Sequence, residues 1–229
     1  MKRIGLLGGM SWQSTVSYYR YINQEVNARL GGKHTADVTV WSGDFAPIAA
    51  CTDSRDWAEL ARILVPAAQS LAAQGAEVMV IAANAAHSVA DVVEAYGGVP
   101  VVNIIDVTAR RMRESGVETA ALLGTAAVME EPFYRDRMEE NGVVCLIPSD
   151  ASRAEIDRIV FEELVFGTID DGSHHTLVDV IDVLADEGAE ATILGCTELS
   201  MILDEDDGVI PGFDTTRIHS IAAVDAALA

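Results

Sequence analysis

Gly75-Ala76-Glu77-Val78-Met79-Val80-Ile81-Ala82-Ala83 recurs further along the chain as Gly188-Ala189-Glu190-Ala191-Thr192-Ile193-Leu194-Gly195-Cys196. Each copy is a Gly-Ala-Glu turn followed by a short apolar run, the pattern of a strand buried on both faces of a sheet. A second pair, Ile4-Gly5-Leu6-Leu7-Gly8 and Ala120-Ala121-Leu122-Leu123-Gly124, keeps nearly the same separation. Two units that each open on a strand, and each place a special residue at the end of a later one, predict an internally duplicated enzyme with a site between its halves. One copy of the longer repeat ends in a thiol, Cys196, and the other in a methyl group, Ala83.

Working outward, strands are predicted at 3–7, 36–41, 77–82 and 99–102, and again at 118–123, 142–146, 191–195 and 208–210. They alternate with longer helical patterns, which is the signature of parallel βα units. The expected fold class is α/β: two similar lobes, each a mostly parallel sheet flanked by helices, related by pseudo-twofold symmetry with the site in the cleft. The first lobe is expected over 1–105 and the second over 106–212, joined through the 104–117 connection; 213–229 forms a C-terminal helix packing on the first lobe. Ser11 caps a helix over 12–30 that Gly31-Gly32 closes, Asp53-Ser54 precede a helix over 55–74 that Pro66 should kink or divide, and Asp150 begins 151–166, ended by Gly167.

Lys and Arg number 15 against 36 Asp and Glu, a net charge of −21 that repels nucleic acid and anionic lipid surfaces. No apolar run reaches the roughly 20 residues a membrane span requires, and Met1-Lys2-Arg3 leads straight into a strand, so the expected location is cytoplasmic. Cys51, Cys145 and Cys196 lie far apart without CxxC spacing, which argues for free thiols rather than a disulfide framework or a zinc site.

Cys196, in Leu194-Gly195-Cys196-Thr197-Glu198, stands where a buried strand should give way to a helix, at the sheet edge where ligands bind. A helix N-terminus there would favour a thiolate and receive a carboxylate, as expected of an acid/base or nucleophilic cysteine; the alternative is a small buried hydrophobe. Cys51, in a predicted loop, and Cys145, within a strand, have weaker claims. Ala83 should face Cys196 across the pseudo-twofold axis. Asn84 beside it can bind an amino-acid head group or cap a helix, and His87 can serve as ligand or core. Gly8-Gly9-Met10-Ser11-Trp12 lacks the spacing of a nucleotide loop, yet it could lay backbone amides on a small carboxylate with Met10 as an apolar wall. Thr125 holds the matching place in the second half. Glu198 could receive an ammonium group, steer the thiol's proton, or merely sit at a helix start.

Together these segments resemble the aspartate/glutamate racemase family over nearly the whole chain. The resemblance is carried by Gly8-Gly9-Met10-Ser11-Trp12 with Ser14-Thr15 and Tyr18-Tyr19, by Asp44-Phe45, and by Asn84 with His87. It continues in Leu123-Gly124-Thr125 with Met129-Glu130 and Phe133-Tyr134, in Gly195-Cys196-Thr197-Glu198, and in Phe213-Asp214-Thr215-Thr216 with Ile218-His219. It implies a small amino or dicarboxylic acid substrate, commonly a homodimer, and no pyridoxal phosphate or metal cofactor. In the family's usual mechanism two cysteines flank the substrate Cα, one removing its proton and the other protonating the opposite face.

The second-lobe cysteine carries over to Cys196, the catalytic residue, with Met10, Asn84, Ala85, Thr125, Thr197 and Glu198 as substrate-binding positions. The first does not. Where the family motif reads Cys-Asn-Thr, a small residue and His, this chain reads Ala83-Asn84-Ala85-Ala86-His87, lacking both the thiol and the hydroxyl. Losing a positioned acid/base typically removes about 10²–10⁴-fold in rate. The expectation is therefore a racemase-like enzyme working through Cys196 that is slow, one-sided or inactivated. The alternatives are a one-thiol decarboxylase or isomerase of a small carboxylic acid, and a catalytically silent small-acid-binding protein. Arg55 is a candidate partner for a substrate's side-chain carboxylate, or a solvated charge.

Overall fold

Strand β1 (Ile4–Gly8) turns Ile4 and Leu6 to one side and Leu7 to the other, the period of two that a pleated strand imposes. In a computed structural model that describes residues 1–229, it is the second strand of a four-stranded parallel sheet ordered β2-β1-β3-β4. Its partners are β2 (Val38–Ser42), β3 (Val78–Ile81) and β4 (Val101–Val102). Ile4 pairs with Val38 on one side and Val78 on the other.

Helix α1 (Trp12–Leu30) starts where the Ser11 hydroxyl accepts the Ser14 N–H, and ends at Gly31, whose φ of 71° only glycine adopts without strain. Its buried stripe, Tyr18, Ile22 and Val26, covers the face that carries Ile4, Leu6 and Val80. Helix α2 (Phe45–Ser54) is capped by Asp44, and α3 (Trp57–Ala73) turns Leu60, Leu64, Ala68 and Leu71 onto Leu7, Met79 and Ile81 on the opposite face. A one-turn 3-10 segment (Ala85–Val89) leads into α4 (Ala90–Gly97), and α5 (Ile104–Glu114) follows β4, so much of the predicted connection is helix.

The second sheet repeats the order as β6-β5-β7-β8, from β5 (Thr119–Leu123), β6 (Val144–Leu146), β7 (Ala191–Leu194) and β8 (Gly212–Asp214). Its helices are α6 (Ala126–Glu130), α7 (Pro132–Glu140), α8 (Asp150–Arg158) and α9 (Asp171–Asp186). Helix α10 (Thr215–Leu228) closes the chain; Ala223, Val224 and Ala227 pack with Ile4, Leu6 and Tyr18, and the Ala227 carbonyl accepts the Lys2 N–H at 2.8 Å. The chain divides into one unit of 1–107 with 216–229 and another of 108–215.

The repeated turn has a physical basis. Glu77 accepts the Arg3 N–H at 3.3 Å, and Glu190 accepts those of Glu118 and Thr119 at 2.7 and 3.0 Å, so each glutamate satisfies donors where the neighbouring strand begins. Further along, Ala82 N–H bonds the Leu7 carbonyl at 2.8 Å, as Gly195 N–H bonds that of Leu123 at 2.7 Å. Ala83 therefore follows β3 in its unit as Cys196 follows β7 in the other.

Several local expectations are corrected. The strand predicted at 208–210 lies at Gly212–Asp214; Val209 is 71% exposed, and the carbonyl of Pro211 begins the ladder by accepting the Thr192 N–H at 2.9 Å. Pro100 does the same for Met79, so the two prolines were the usable signal. Asp53 and Ser54 end α2, and Asp56 caps α3 by accepting the Glu59 N–H. Pro66 sits inside an undivided α3, where the apolar face holds the helix despite one missing N–H. Cys51 lies in α2 rather than a loop. Ser149, not Asp150, caps α8, and the helical path continues through a π-helical turn at Ile159–Glu163 and a 3-10 turn at Leu164–Phe166 until Gly167, with a φ of 77°, ends it as expected.

Candidate active site

In the second unit, the site is built where β7 ends. A Cβ on Gly195 would lie 2.8 Å from the Leu123 carbonyl oxygen, so only glycine lets the ends of β5 and β7 approach this closely. The Leu194 carbonyl accepts the Thr215 hydroxyl at 2.8 Å, which fixes the last peptide before the Gly195-Cys196 step. Cys196 emerges next, 6% exposed.

The helix expected after Cys196 is a single 3-10 turn, Leu199–Met201, too short for a substantial dipole. What favours a thiolate is local: the backbone amides of Glu198 and Leu199 lie close enough to the sulfur to lower its pKa. Burial opposes it more strongly, and the Glu198 carboxylate adds to the opposition, so the thiol is held well above its usual range. Cys196 Sγ donates to Glu198 Oε2 at 3.1 Å, and Thr197 Oγ1 donates to the same oxygen at 2.7 Å. Glu198 is itself 6% exposed. The resting arrangement is thus a neutral thiol whose proton points at a buried carboxylate oxygen.

Thr125 stands at the matching strand end after β5. The first amide of α6, Ala126 N–H, is taken by Asp157 Oδ1 at 2.8 Å from α8, and the Thr125 hydroxyl, which caps no amide, is shielded from solvent without a hydrogen-bond partner. Asp157 has no local cue in the chain, since 31 residues separate it from Ala126. A hydroxyl left uncommitted by this arrangement can serve a ligand's carboxylate.

In the first unit, the Gly8-Gly9-Met10 loop is held by Thr15, whose hydroxyl accepts the Gly9 N–H at 2.8 Å and donates to the Ser11 carbonyl at 2.9 Å. The Gly9 amide expected to face a carboxylate is therefore committed, and Met10 belongs to the apolar cluster with Leu7, Ile48 and Ile81. Ala83 is half-buried, Asn84 is buried and makes no side-chain cap bond, and Ala85 is half-buried. His87 is buried in the turn behind them, its Nδ1 2.8 Å from the Ala83 carbonyl. Arg55 ends α2 with a left-handed φ of 58° and donates to the Thr52 carbonyl.

The other two thiols do not join the site. Burial pushes Cys145 up to about 12, and burial with nearby Glu59 and Asp56 raises Cys51. No three His, Cys, Asp or Glu side chains gather in an arrangement that could hold a metal ion, and no helix is long and apolar enough to cross a membrane.

Known proteins share this architecture. A candidate Asp/Glu racemase from Yersinia pestis is 43% identical with a TM-score of 0.92, each chain covered over 100%. An aspartate racemase homologue from Pyrococcus horikoshii OT3 is 34% identical with a TM-score of 0.86, again over 100% of both. The aspartate racemase of Picrophilus torridus, at 21% identity, shares the fold with a TM-score of 0.80 over 99% of this chain and 94% of its own. The model of the Asp/Glu/Hydantoin racemase family matches residues 7–223, and with two parallel βα units and a strand-end thiol this chain belongs to that family.

Proposed function

We propose that the protein moves the Cα proton of a small amino acid of the aspartate/glutamate class, with Cys196 as the group that takes and returns it. The observation that carries this reading is the 3.1 Å bond from Cys196 Sγ to Glu198 Oε2 in a buried pair at the end of β7. For Cys196 to act as base, its proton passes to Glu198, leaving a thiolate that two backbone amides stabilise; the thiolate then takes the Cα proton. Returning a proton along the same path gives back the starting enantiomer. Inversion requires delivery to the other face, where Ala83 offers no acid, so water must serve and inversion is slower than exchange. Thr125 and Asn84 bind the head group, Met10 and Ala85 border it, and Thr197 holds Glu198 on the sulfur. The name of the Pyrococcus protein supports aspartate as the first substrate to try, and that of the Yersinia protein supports aspartate or glutamate alike. We place this activity in the cytoplasm, without cofactor, in a homodimer; the exposed Trp12, Val16 and Tyr19 on one face of α1 are apolar surface that a second copy would cover.

A second reading is favoured by the neutral resting thiol. In a decarboxylation of a malonate-like acid the C–COO⁻ bond breaks, CO₂ leaves, and Cys196 S–H protonates the resulting enolate, with no base needed on the Ala83 face.

The test is NMR of L- and D-aspartate and glutamate in D₂O, scoring α-deuteration and chirality together. Exchange that outpaces inversion, both abolished in Cys196→Ser, is the expected result. No exchange with any of the four would sink the amino-acid reading, and CO₂ release from malonate-type acids would replace it. Binding without any chemistry would leave a silent small-acid-binding protein.

A further inference from the structure

His87 and His219 form a buried pair whose hydrogen-bond roles are dictated by the backbone. The Ile104 N–H points at His87 Nε2 at 3.1 Å and can only donate, so Nε2 accepts and Nδ1 carries the proton. That proton meets the Ala83 carbonyl at 2.8 Å. For His219 the fixed partner is the Val102 carbonyl, 2.7 Å from Nε2, so Nε2 carries the proton and Nδ1 accepts from the Tyr18 hydroxyl at 2.8 Å. The two rings stand 5.4 Å apart, edge to face, with His219 fully buried. Val102 and Ile104 flank Asn103, so the two histidines grip β4's end from both sides, and one of them also grips the end of β3.

A buried leucine pair would fill this space without placing two imidazoles away from water. What leucine cannot do is hold a carbonyl. The peptide unit is planar, so fixing the Ala83 C=O fixes the plane of the 83–84 peptide and the start of the turn that carries Asn84 and Ala85. On a face whose strand-end residue has no functional group, that turn is what remains to orient a substrate.

We propose that His87, seated by His219, is a positioning residue for the Ala83-Asn84-Ala85 turn, acting on substrate orientation through the Ala83 carbonyl rather than by touching substrate. This rests on the proposed function insofar as the turn borders the substrate. Glutamine can supply one donor and one acceptor in place of the imidazole, whereas leucine supplies neither.

The experiment compares wild type, His87→Leu and His87→Gln. In ¹⁵N NMR of the free protein, His87 is expected as the Nδ1–H tautomer and His219 as the Nε2–H tautomer, and the Asn84 amide resonance should move in His87→Leu and return toward wild type in His87→Gln. In the D₂O assay, His87→Leu should raise KM at least tenfold and cut inversion relative to exchange at least fivefold, with His87→Gln within threefold of wild type on both. Opposite tautomers, or an Asn84 amide unmoved in a folded His87→Leu protein, would overturn the positioning role whether or not any substrate reacts. An equal rise in KM and an equal fall in the inversion ratio in both variants would overturn it as well. If wild type turns over none of the four amino acids, the tautomers and the Asn84 amide decide the matter alone, and only the assigned function falls.

Discussion

Replacing Glu198 with glutamine keeps the side chain's volume and an acceptor oxygen near Cys196 and removes the group that can take the thiol's proton. Two effects then compete. Deleting the carboxylate's charge relieves one cause of the raised thiol, which works toward more thiolate; burial, the larger cause, stays. Even a thiol restored to an ordinary pKa of about 8.5 is only about 3% ionised at pH 7, and a buried one is less so. Without an internal acceptor the thiolate must come from solution, so α-proton exchange at pH 7 should fall by about the 10²–10⁴-fold typical of losing a positioned acid/base.

The pH profile carries the sharper signature. In Glu198→Gln, exchange should climb tenfold per pH unit up to the thiol's own pKa, whereas wild type, with its proton moving along the 3.1 Å bond, should vary far less between pH 7 and 9. The assay is α-deuteration of aspartate followed by NMR from pH 6 to 9.5, with Cys196→Ser as the floor. If Glu198→Gln exchanges as fast as wild type at pH 7, or faster, the carboxylate is a brake on ionisation rather than the thiol's base, and the proposed proton path is wrong.

If the proposed function holds, Ala83→Cys supplies the missing acid, and inversion measured by circular dichroism should rise about 10²–10⁴-fold while exchange changes little. In Gly195→Ala the new methyl would meet the rigid Leu123 carbonyl, costing about 1–3 kcal/mol and lowering the melting temperature by about 2–4 °C per kcal/mol, together with exchange at Cys196; an unchanged melting temperature would contradict the close approach of β5 and β7. Burial, with a smaller repulsion from His87, depresses His219 to about 3, below the about 6.5 of the unfolded chain, so the unfolded state binds the extra proton between these values. Stability from this group is complete above pH 6.5 and should decline by about 1.4 kcal/mol per pH unit as pH falls toward 3, as urea titrations would show; the groups facing the ring are Tyr18, His87 and the Val102 carbonyl. A stability flat between pH 6.5 and 4.5 would mean that His219 is not buried neutral.

The sequence by itself determined the parallel βα units, because buried strands and amphipathic helices leave local periodicities of two and 3.6 residues that survive in a string of letters. It also determined that a thiol follows β7 and a methyl group follows β3, since both lie at fixed places in a repeated segment. It misplaced β8 and the caps of α3 and α8, where several acceptors compete within a few residues and only the settled backbone selects one. The sheet order, the capture of the Ala126 amide by Asp157, and the tautomers of His87 and His219 were decided by the tertiary structure. Each depends on which groups lose water and which partner from a distant segment meets them there, and burial and long-range hydrogen bonding leave no periodic trace in the chain.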